Sequence, residues 1–600
     1  MENIKQHYQK LYNKYTFKRT NKQKQVKRLG FIRLMIFLLG ILFLYITANI
    51  NIYLLWVELF VFISSFILII RKHLLEQKNL DKLIILEEIN KKELLALNGD
   101  YSHFENGKEF NNPEHTYSDD LDVFGEGSMF QFLNRSSSIY GKRKLAHFLN
   151  SGLKDKADIE ARQHATQELA SKFNWRQKYM CWGKLLPDKG TELQELKEWM
   201  NEENLFQNRF YSIAAIVMPV LSFTMLFLLY LSIISFANFI LYLFLVPIGI
   251  TALKLRKVNH QHSILSYKAT ALKKYSKLLE MVEHENFTSA KLKDIQEQLT
   301  KGDKSAAVAI KRLSKLIDWL DHRLNMIMGF LLNAYLLWDV QIMRRIEQWK
   351  IIHREEIDNW FDQLGETDAL CSLANYSYNH PDFVYPKILQ GDLRIKSTDA
   401  GHPLIEGYER INNPINVEYW KHFSIITGAN MAGKSTYLRT VGVNLILGMA
   451  GAPVCAKDFE FTPVDLFTSI RTKDNLQKHE SYFYAELKRL KEIIDRIKNG
   501  QKLFIILDEI LKGTNSKDKQ SGSIAILKQL INLKSAGIIA THDLALGDLI
   551  KVYPEFVSNR CFEVEIINDK LDFDYKLKEG VAQNLNATFL MRKMGIVMDE

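Results

Sequence analysis

The residues best suited to chemistry lie in one run, Thr427-Gly428-Ala429-Asn430-Met431-Ala432-Gly433-Lys434-Ser435-Thr436, which reads G-x-x-x-x-G-K-S. Two glycines at this spacing let the backbone turn so that its N–H groups and the next helix N-terminus cradle phosphates. Lys434 then reaches the β- and γ-phosphates of a nucleotide, and Ser435 holds Mg²⁺. The flanks suit this use: Phe423 to Ile426 reads as a buried strand, and Tyr437, Leu438, Val441 and Leu445 recur at helical spacing. A chance match in a glycine-containing turn is the competing reading, and the strand-loop-helix context argues against it.

A second element follows 74 positions after Lys434, where the apolar strand Leu503 to Leu507 ends in Asp508-Glu509. An acid there orients the metal and the next one activates water for attack on the γ-phosphate. Two acids capping a strand are common, so the assignment depends on the upstream loop. A further strand, Ala536 to Ala540, ends in Thr541-His542-Asp543, which places His542 where it could sense the γ-phosphate.

These segments resemble the MutS family, the ABC-type ATPases of DNA mismatch repair and recombination. TGANMAGKSTYLRT resembles the family's phosphate loop, DNLQKHESYFYAEL (474–487) its ABC signature segment, LDEILKGTNS (507–516) its Asp-Glu strand, and ATHD (540–543) its His switch. GHPLIE (401–406) and NNPIN (412–416) resemble the lead-in to the ATPase domain. Upstream, 132–163 resembles the start of the helical core domain and DALCSLANYSY (368–378) its end. The resemblance implies ATP and Mg²⁺ as cofactors, with Glu509, His542 and Lys434 catalytic. Nucleotide contacts would come from Gly428 through Thr436 (Gly428, Ala429, Asn430, Met431, Ala432, Gly433, Lys434, Ser435, Thr436) and from Asn413. Ser435 and Asp508 would be metal ligands. It also implies a homodimer in which Ser481 reaches the γ-phosphate of the other subunit, and mismatched or branched DNA as partner. Ala429 and Ala432 depart from the family's usual Pro and Gly, and Tyr482 from its Thr. Arg410 stands where an aromatic often stacks on adenine, which a guanidinium can also do. Lys512 stands where the family often has Arg.

The formal net charge of +10 is concentrated at one end: residues 1–30 carry nine Lys/Arg and one acid, which leaves +2 for the other 570 residues. The body therefore lacks the broad basic field of a strong duplex binder. Cys181, Cys371, Cys455 and Cys561 show neither metal-ligand nor disulfide-framework spacing.

Apolar runs at 31–48, 52–70, 211–230 and 231–251 are each about the ~20 residues needed to cross a bilayer. They read as two transmembrane hairpins, four helices in a lipid bilayer. Lys and Arg crowd before Phe31, at Arg71 and Lys72, at Arg209 and at Lys254, Arg256 and Lys257, with none in the intervening loops. The positive-inside rule then predicts a multi-pass protein of the cell (inner) membrane, with both termini and the ATPase cytoplasmic. Residues 1–30 read as a basic tail that sets topology and meets anionic lipid, with nucleic acid as an alternative ligand. Glu58, two turns into the second span, is the intramembrane carboxylate. Pro219 and Pro247 are expected to kink the later spans or mark their ends.

The predicted fold class is an α/β P-loop (ABC-type) ATPase domain at the C-terminus, preceded by an all-α MutS-like core/lever domain that transmembrane hairpins precede and interrupt. The expected segments are a tail (1–30), hairpin 1 (31–70), helix and linker (71–124), helical core first part (125–210), hairpin 2 (211–251), core/lever second part (252–390) and ATPase (391–600). Helices are expected at 74–97, 141–150, 155–174 and 190–205, with long amphipathic ones at 255–300 and 304–360. Trp319, Leu320, Ile327 and Met328 are expected to line a core. Neither an N-terminal mismatch-reading domain nor an appended C-terminal domain is expected, and Phe124-Gly125-Glu126 is read as a chance likeness to a mismatch-reading wedge. The leading function is a membrane-anchored MutS-family ATPase working as an ATP-driven dimer clamp on mismatched or branched DNA. The alternatives are an ABC-type membrane ATPase with a protein or transport substrate, which SYFYAE in place of an LSGGQ-like run disfavours, and a scaffold that uses ATP only as a dimerisation switch.

Overall fold

The computed structural model describes residues 2–48, 50, 52–186, 192–266, 268–301, 305–429, 431–471, 482–512, 514–567 and 570–583. Helices α1 (Glu2–Ala48) and α2 (Ile52–Ala96) form one long antiparallel hairpin. Its far half is apolar and outward-facing, with Phe37 and Phe66 in ring contact at 5.8 Å. Its near half is laced by Lys22–Glu76 (2.8 Å) and Arg19–Glu87 (2.9 Å). Residues 2–30, read as a tail, are thus the first half of α1. Tyr8 is buried against the core and donates to Asn379 Oδ1 at 2.9 Å.

The all-α core begins with α3 to α7 (Met129–Leu133, Ile139–Asn150, Lys156–Ser171, Phe173–Leu185, Glu192–Asn201). Ser138 and Asp155 cap α4 and α5, each side chain accepting from backbone N–H groups of the first turn, as their residue types favour. Asp368 lies in α17 (Ile357–Asn379) and accepts from the backbone N–H and hydroxyl of both Ser137 and Ser138, which closes the core's beginning onto its end. Glu93 of α2 pairs with buried Arg135 at 2.6 Å and accepts from Asn379 at 3.0 Å, anchoring the α1–α2 hairpin to this junction.

Between these ends lie α8 (Arg209–Tyr230), α9 (Phe236–Leu245) and α10 (Pro247–Ala252), then α11 to α14 (Leu255–Leu265, Lys268–Glu283, Ala290–Leu299, Ala306–Leu320), α15 (Met326–Leu336) and α16 (Trp338–His353). Helices α1, α2 and α8 are long and apolar enough to cross a membrane. The bent pairs α9–α10 with α11 (58°) and α15 with α16 (79°) pass the same test only if each is counted as one span. Several expectations are corrected here. The run expected at 231–251 as one span is two helices broken at Val246, where Pro247, which has no N–H to continue α9, opens α10 and so marks a helix end as expected of it. Pro219 is accommodated inside α8. Among the described residues, the long helices expected over 255–300 and 304–360 are six shorter ones, α11 to α16, before α17 begins at Ile357. Leu320 is buried, but Trp319, Met328 and Ile327 are exposed, Ile327 by 73%. Ile327 and Met328 belong to α15, a short helix lying on the outside of the core, and Trp319 to the end of α14.

The C-terminal region contains β1 (Lys387–Ile388), β2 (Ile395–Ala400), β3 (Asn413–Val417), β4 (Phe423–Gly428), α18 (Lys434–Met449), β5 (Glu460–Phe461) and β6 (Asp465–Ser469). It continues with α19 (Tyr482–Lys498), β7 (Leu503–Asp508), α20 (Ser516–Asn532), β8 (Ala536–Thr541), α21 (Leu549–Val552) and β9 to β12 (Val557–Phe562, Glu565–Ile567, Lys570–Asp572, Leu577–Glu579). The main sheet runs β12-β9-β4-β8-β7-β6, parallel except for β12, and a smaller sheet runs β1-β5-β2-β3. Strands β4 and β8 are buried at every position, so both read as continuous apolar runs. The segment expected as a linker before residue 124 packs on this domain: Asp122 pairs with Arg439 of α18 (2.8 Å) and with Arg471, and Asp120 accepts from Thr468 at 2.7 Å.

Candidate functional site: a phosphate loop facing an Asp-Glu strand end

The loop after β4 leads into α18 at the carboxyl ends of parallel strands, where α/β sheets place their ligands. Both glycines are required. Gly428 has φ 151°, and a Cβ there would fall 2.6 Å from the Phe562 carbonyl oxygen. Gly433 has φ 104°, caps α18, and leaves 3.2 Å between a would-be Cβ and the Tyr575 ring. The loop opens on a cavity of about 450 Å³ lined by Lys434, Ser435, Thr436, Asp508, Glu509 and Tyr575, among others. Ala429, Met431, Gly433 and Asn413 also line it, whereas Ala432 is buried beneath the loop.

Lys434 Nζ donates to the carbonyl oxygens of Gly428 (2.7 Å) and Ala429 (2.8 Å). Burial pulls its pKa below the usual lysine value, against the opposing pull of Glu509 and Asp508. Ser435 Oγ donates to Asp508 Oδ2 at 2.5 Å, so a hydroxyl and a carboxylate from elements 73 residues apart converge on one point. This hard-oxygen pair fits Mg²⁺, which keeps several waters and takes few protein ligands. The cavity, the free turn of a helix N-terminus and the lysine together fit a nucleotide's phosphates.

Glu509 adopts φ 52° and sits at the β7 end, its backbone N–H donating to Ala540 O at 2.9 Å. Burial raises its carboxyl pKa, but His542, Lys512 and the hydrogen bond from His542 outweigh that and hold it below the usual carboxylate range. His542 Nδ1 lies 3.2 Å from Glu509 Oε1, and Lys519 Nζ is 3.2 Å from the other ring nitrogen. His542 therefore meets Glu509, not the cavity wall. Leu511 is also left-handed, at φ 61°. Glu486, buried in α19, accepts from Leu511 N (2.5 Å) and Lys512 N (3.0 Å) and so holds this turn in a conformation that non-glycine residues disfavour.

Of the residues singled out from sequence, Lys434, Ser435, Asp508, Glu509 and Asn413 are gathered at the cavity. Asn413 spends its side chain on structure, donating to Tyr575 O (2.9 Å) and accepting from Leu577 N (2.8 Å). Asn430 and Ser481 lie outside the described residues, as does most of the signature segment. Arg410, considered for base stacking, turns away: its guanidinium lies 5.4 Å from the Phe383 ring and donates to Asn412. Three aromatics line the cavity, Tyr437 of α18, Phe562 of β9 and Tyr575, which lies just before β12. Sequence reading singled out neither Tyr575, which sits in no motif, nor Glu486, which lies in the signature-like segment 474–487 but was given no role there. All four cysteines are buried thiols.

Comparison with known proteins adds a family to this geometry. The family model described as MutS domain V matches residues 424–591. Among curated relatives, the DNA mismatch repair protein MutS of Thermotoga petrophila is 31% identical over 237 residues, 38% of this chain and 29% of that protein. The DNA mismatch repair protein MSH4 of Arabidopsis thaliana is 33% identical over 186 residues, 30% of this chain and 23% of its own length. The human MutS protein homolog 4 is 31% identical over 235 residues, 38% of this chain and 24% of its own. The chain thus spans under a third of the length of these relatives. Residues 424–591 thus match the MutS domain V model, and it is this C-terminal region that is similar to proteins of the MutS family.

Proposed function

We propose that this chain is a membrane-anchored ATPase of the MutS family, working as an ATP-driven dimer clamp in the cell membrane with its ATPase on the cytoplasmic side. The observation that carries the reading is the convergence of Lys434, Ser435, Asp508 and Glu509 on one cavity, in a chain whose α1, α2 and α8 turn long apolar faces outward. Lys434 leaves its two carbonyl partners to meet the phosphate oxygens, which are stronger acceptors. Ser435 and Asp508 would hold Mg²⁺, which supplies charge neutralisation across the β- and γ-phosphates. Glu509, ionised at neutral pH, accepts a proton from the attacking water. His542 orients that carboxylate. In a dimer the signature segment around Ser481 would complete the partner's site, so binding closes the clamp and hydrolysis opens it.

Mismatched DNA is the substrate that the names of the mismatch-repair relatives suggest, and the resemblance of the motifs adds branched DNA. A second reading, an ABC-type membrane ATPase acting on a protein or other non-DNA substrate, is favoured by one observation: beyond residue 30 the chain carries a net charge of only +2. The deciding experiment is the ATPase rate of the detergent-solubilised chain with homoduplex, mismatched and branched DNA at two salt concentrations. Stimulation by mismatched or branched DNA that survives the higher salt supports the DNA reading. Turnover indifferent to all three overturns it and leaves the second reading. No turnover in any condition, with Glu509→Gln as the control, overturns the assignment of an ATPase.

A further inference from the structure

We propose that α15, Met326–Leu336, is a membrane-embedded half-helix that enters the bilayer beside α8 and α9, so that lipid is what covers its outward face. This rests on the membrane reading above and adds to it a segment that the expected hairpins do not include. The helix has 11 residues, about 16 Å at 1.5 Å per residue, roughly half of a ~30 Å hydrocarbon layer. It contains no charged residue, and Met326 (85%), Ile327 (73%) and Leu331 (45%) are exposed. Its inward side packs on α8 and α9 in a cluster of its own with Phe239, Leu243 and Ala334 buried.

Ring contacts give the direction. Phe330 meets Phe244 (5.3 Å) while Tyr335 meets Phe239 (6.4 Å) and Phe223 (6.2 Å), so α15 runs antiparallel to α9. Its N-terminal end therefore lies toward the end of the α9–α10 segment that leads into Lys254, Arg256 and Lys257, the basic and cytoplasmic side. Its C-terminal end points inward to hydrocarbon depth.

A helix end at that depth must have its carbonyls satisfied by protein, because lipid offers no donor. The α15 end meets that demand. Ser222 Oγ, which also contacts Tyr242 Oη at 3.0 Å, donates to Ala334 O at 3.2 Å. Gln341 Nε2 donates to Leu336 O at 2.7 Å, and Leu337 N donates to Asn333 O at 3.2 Å. Leu337, left-handed at φ 48°, then turns the chain by 79° into α16. The Asn333 side chain accepts from Asp339 N, and the ion pair Arg323–Asp339 (3.2 Å) is shut behind the helix on its protein side. Polar groups are thus confined to the inner face and apolar ones to the outer, the sorting that lipid imposes.

The test uses the full chain in phosphatidylcholine–phosphatidylglycerol vesicles with one spin-labelled cysteine at a time, the four native thiols being buried. The variants are Leu331→Cys and Ile327→Cys on α15, Val220→Cys on α8, and Val308→Cys on the exposed face of α14. Accessibility to oxygen, which concentrates in hydrocarbon, is compared with accessibility to a water-soluble nickel chelate. The expected result is an oxygen-to-nickel ratio at Leu331 and Ile327 that matches Val220 and lies several-fold above Val308. Ratios at α15 that match Val308 while Val220 stays lipid-like overturn this proposal and leave the anchoring intact. Protection from both reagents at α15 also overturns it, because protein, not lipid, then covers the helix. A Val220 ratio equal to that of Val308 overturns the membrane reading itself.

Discussion

The phosphate-loop cavity and the α8–α9–α15 cluster are two polar-apolar sorting problems solved in opposite directions. Around the cavity, buried β-strands hold a few charged groups toward a shared space, and backbone strain at Glu509 and Leu511 is tolerated because the turn is held by Glu486 and the sheet. In the helical cluster, Ser222 and Tyr242 meet each other, Gln341 donates to backbone carbonyls, and bulky apolar side chains are turned out. The first arrangement concentrates electrostatic free energy on a ligand. The second leaves an outer surface made mainly of apolar side chains. The physical link between them is the helical core: α16 descends from α15 along α8, and α17, through Asp368 and Asn379, ties the core to α4 and to the α1–α2 hairpin.

The comparison is broken most severely at Glu509. Glu509→Gln is expected to lower kcat by about 10²–10⁴-fold, the range for a lost general base, with ATP affinity retained. Steady-state turnover beside equilibrium nucleotide binding checks this, and unchanged turnover would remove Glu509 as the base. Gly428→Ala is expected to destabilise the ATPase region by more than about 1–3 kcal/mol, because the new methyl would meet the Phe562 carbonyl at 2.6 Å. A melting temperature indistinguishable from wild type would refute the close approach.

Tyr575→Ala sharpens the cavity side: losing an aromatic wall is expected to cost about 0.5–1.5 kcal/mol of nucleotide affinity, with kcat little changed. A fluorescent-nucleotide titration reads it, and equal affinity would place the base elsewhere. On the other side of the comparison, Ser222→Ala removes the donor to Ala334 O and is expected to cost about 0.6 kcal/mol, the average for such bonds between membrane helices. Thermal unfolding in detergent measures that, with no effect expected on nucleotide binding.

The smallest effect is a shift in pH dependence. Glu509 is depressed in the folded state, so its ionised form is favoured above the ordinary carboxylate value of 4.5 and is lost as pH falls through the lower folded value. Removing His542, which holds that pKa down, with His542→Ala should move the acid limb of kcat upward. A limb that stays in place would assign the depression to Lys512 and Lys519.

The phosphate site was legible because its chemistry is local: Gly428, Gly433, Lys434 and Ser435 lie within eight positions, and a strand must precede and a helix follow them. The apolar strands at 423–426, 503–507 and 536–540 were legible for the same reason. Tyr575 and Glu486 were not, because each reaches its place through sheet order or a turn that a one-dimensional pattern does not encode. The long apolar segments show the same division. Composition marked 31–70 and 211–230, since ~20 apolar residues in a row announce themselves. It did not mark α15, whose 11 residues are too few to stand out and whose apolar character fits a core helix equally well.

The sequence alone determined which groups can do chemistry and which stretches prefer to leave water, because both depend on residue type and near-neighbour spacing. Tertiary structure decided the rest. It turned Arg410 away and brought Tyr575 in, and it aimed His542 at Glu509. It also made residues 2–30 one arm of a helical hairpin fixed by Tyr8, and turned the outer face of α15 outward. Each of these depends on partners tens to hundreds of residues distant, whose positions are set only when the sheet and the helical core have packed.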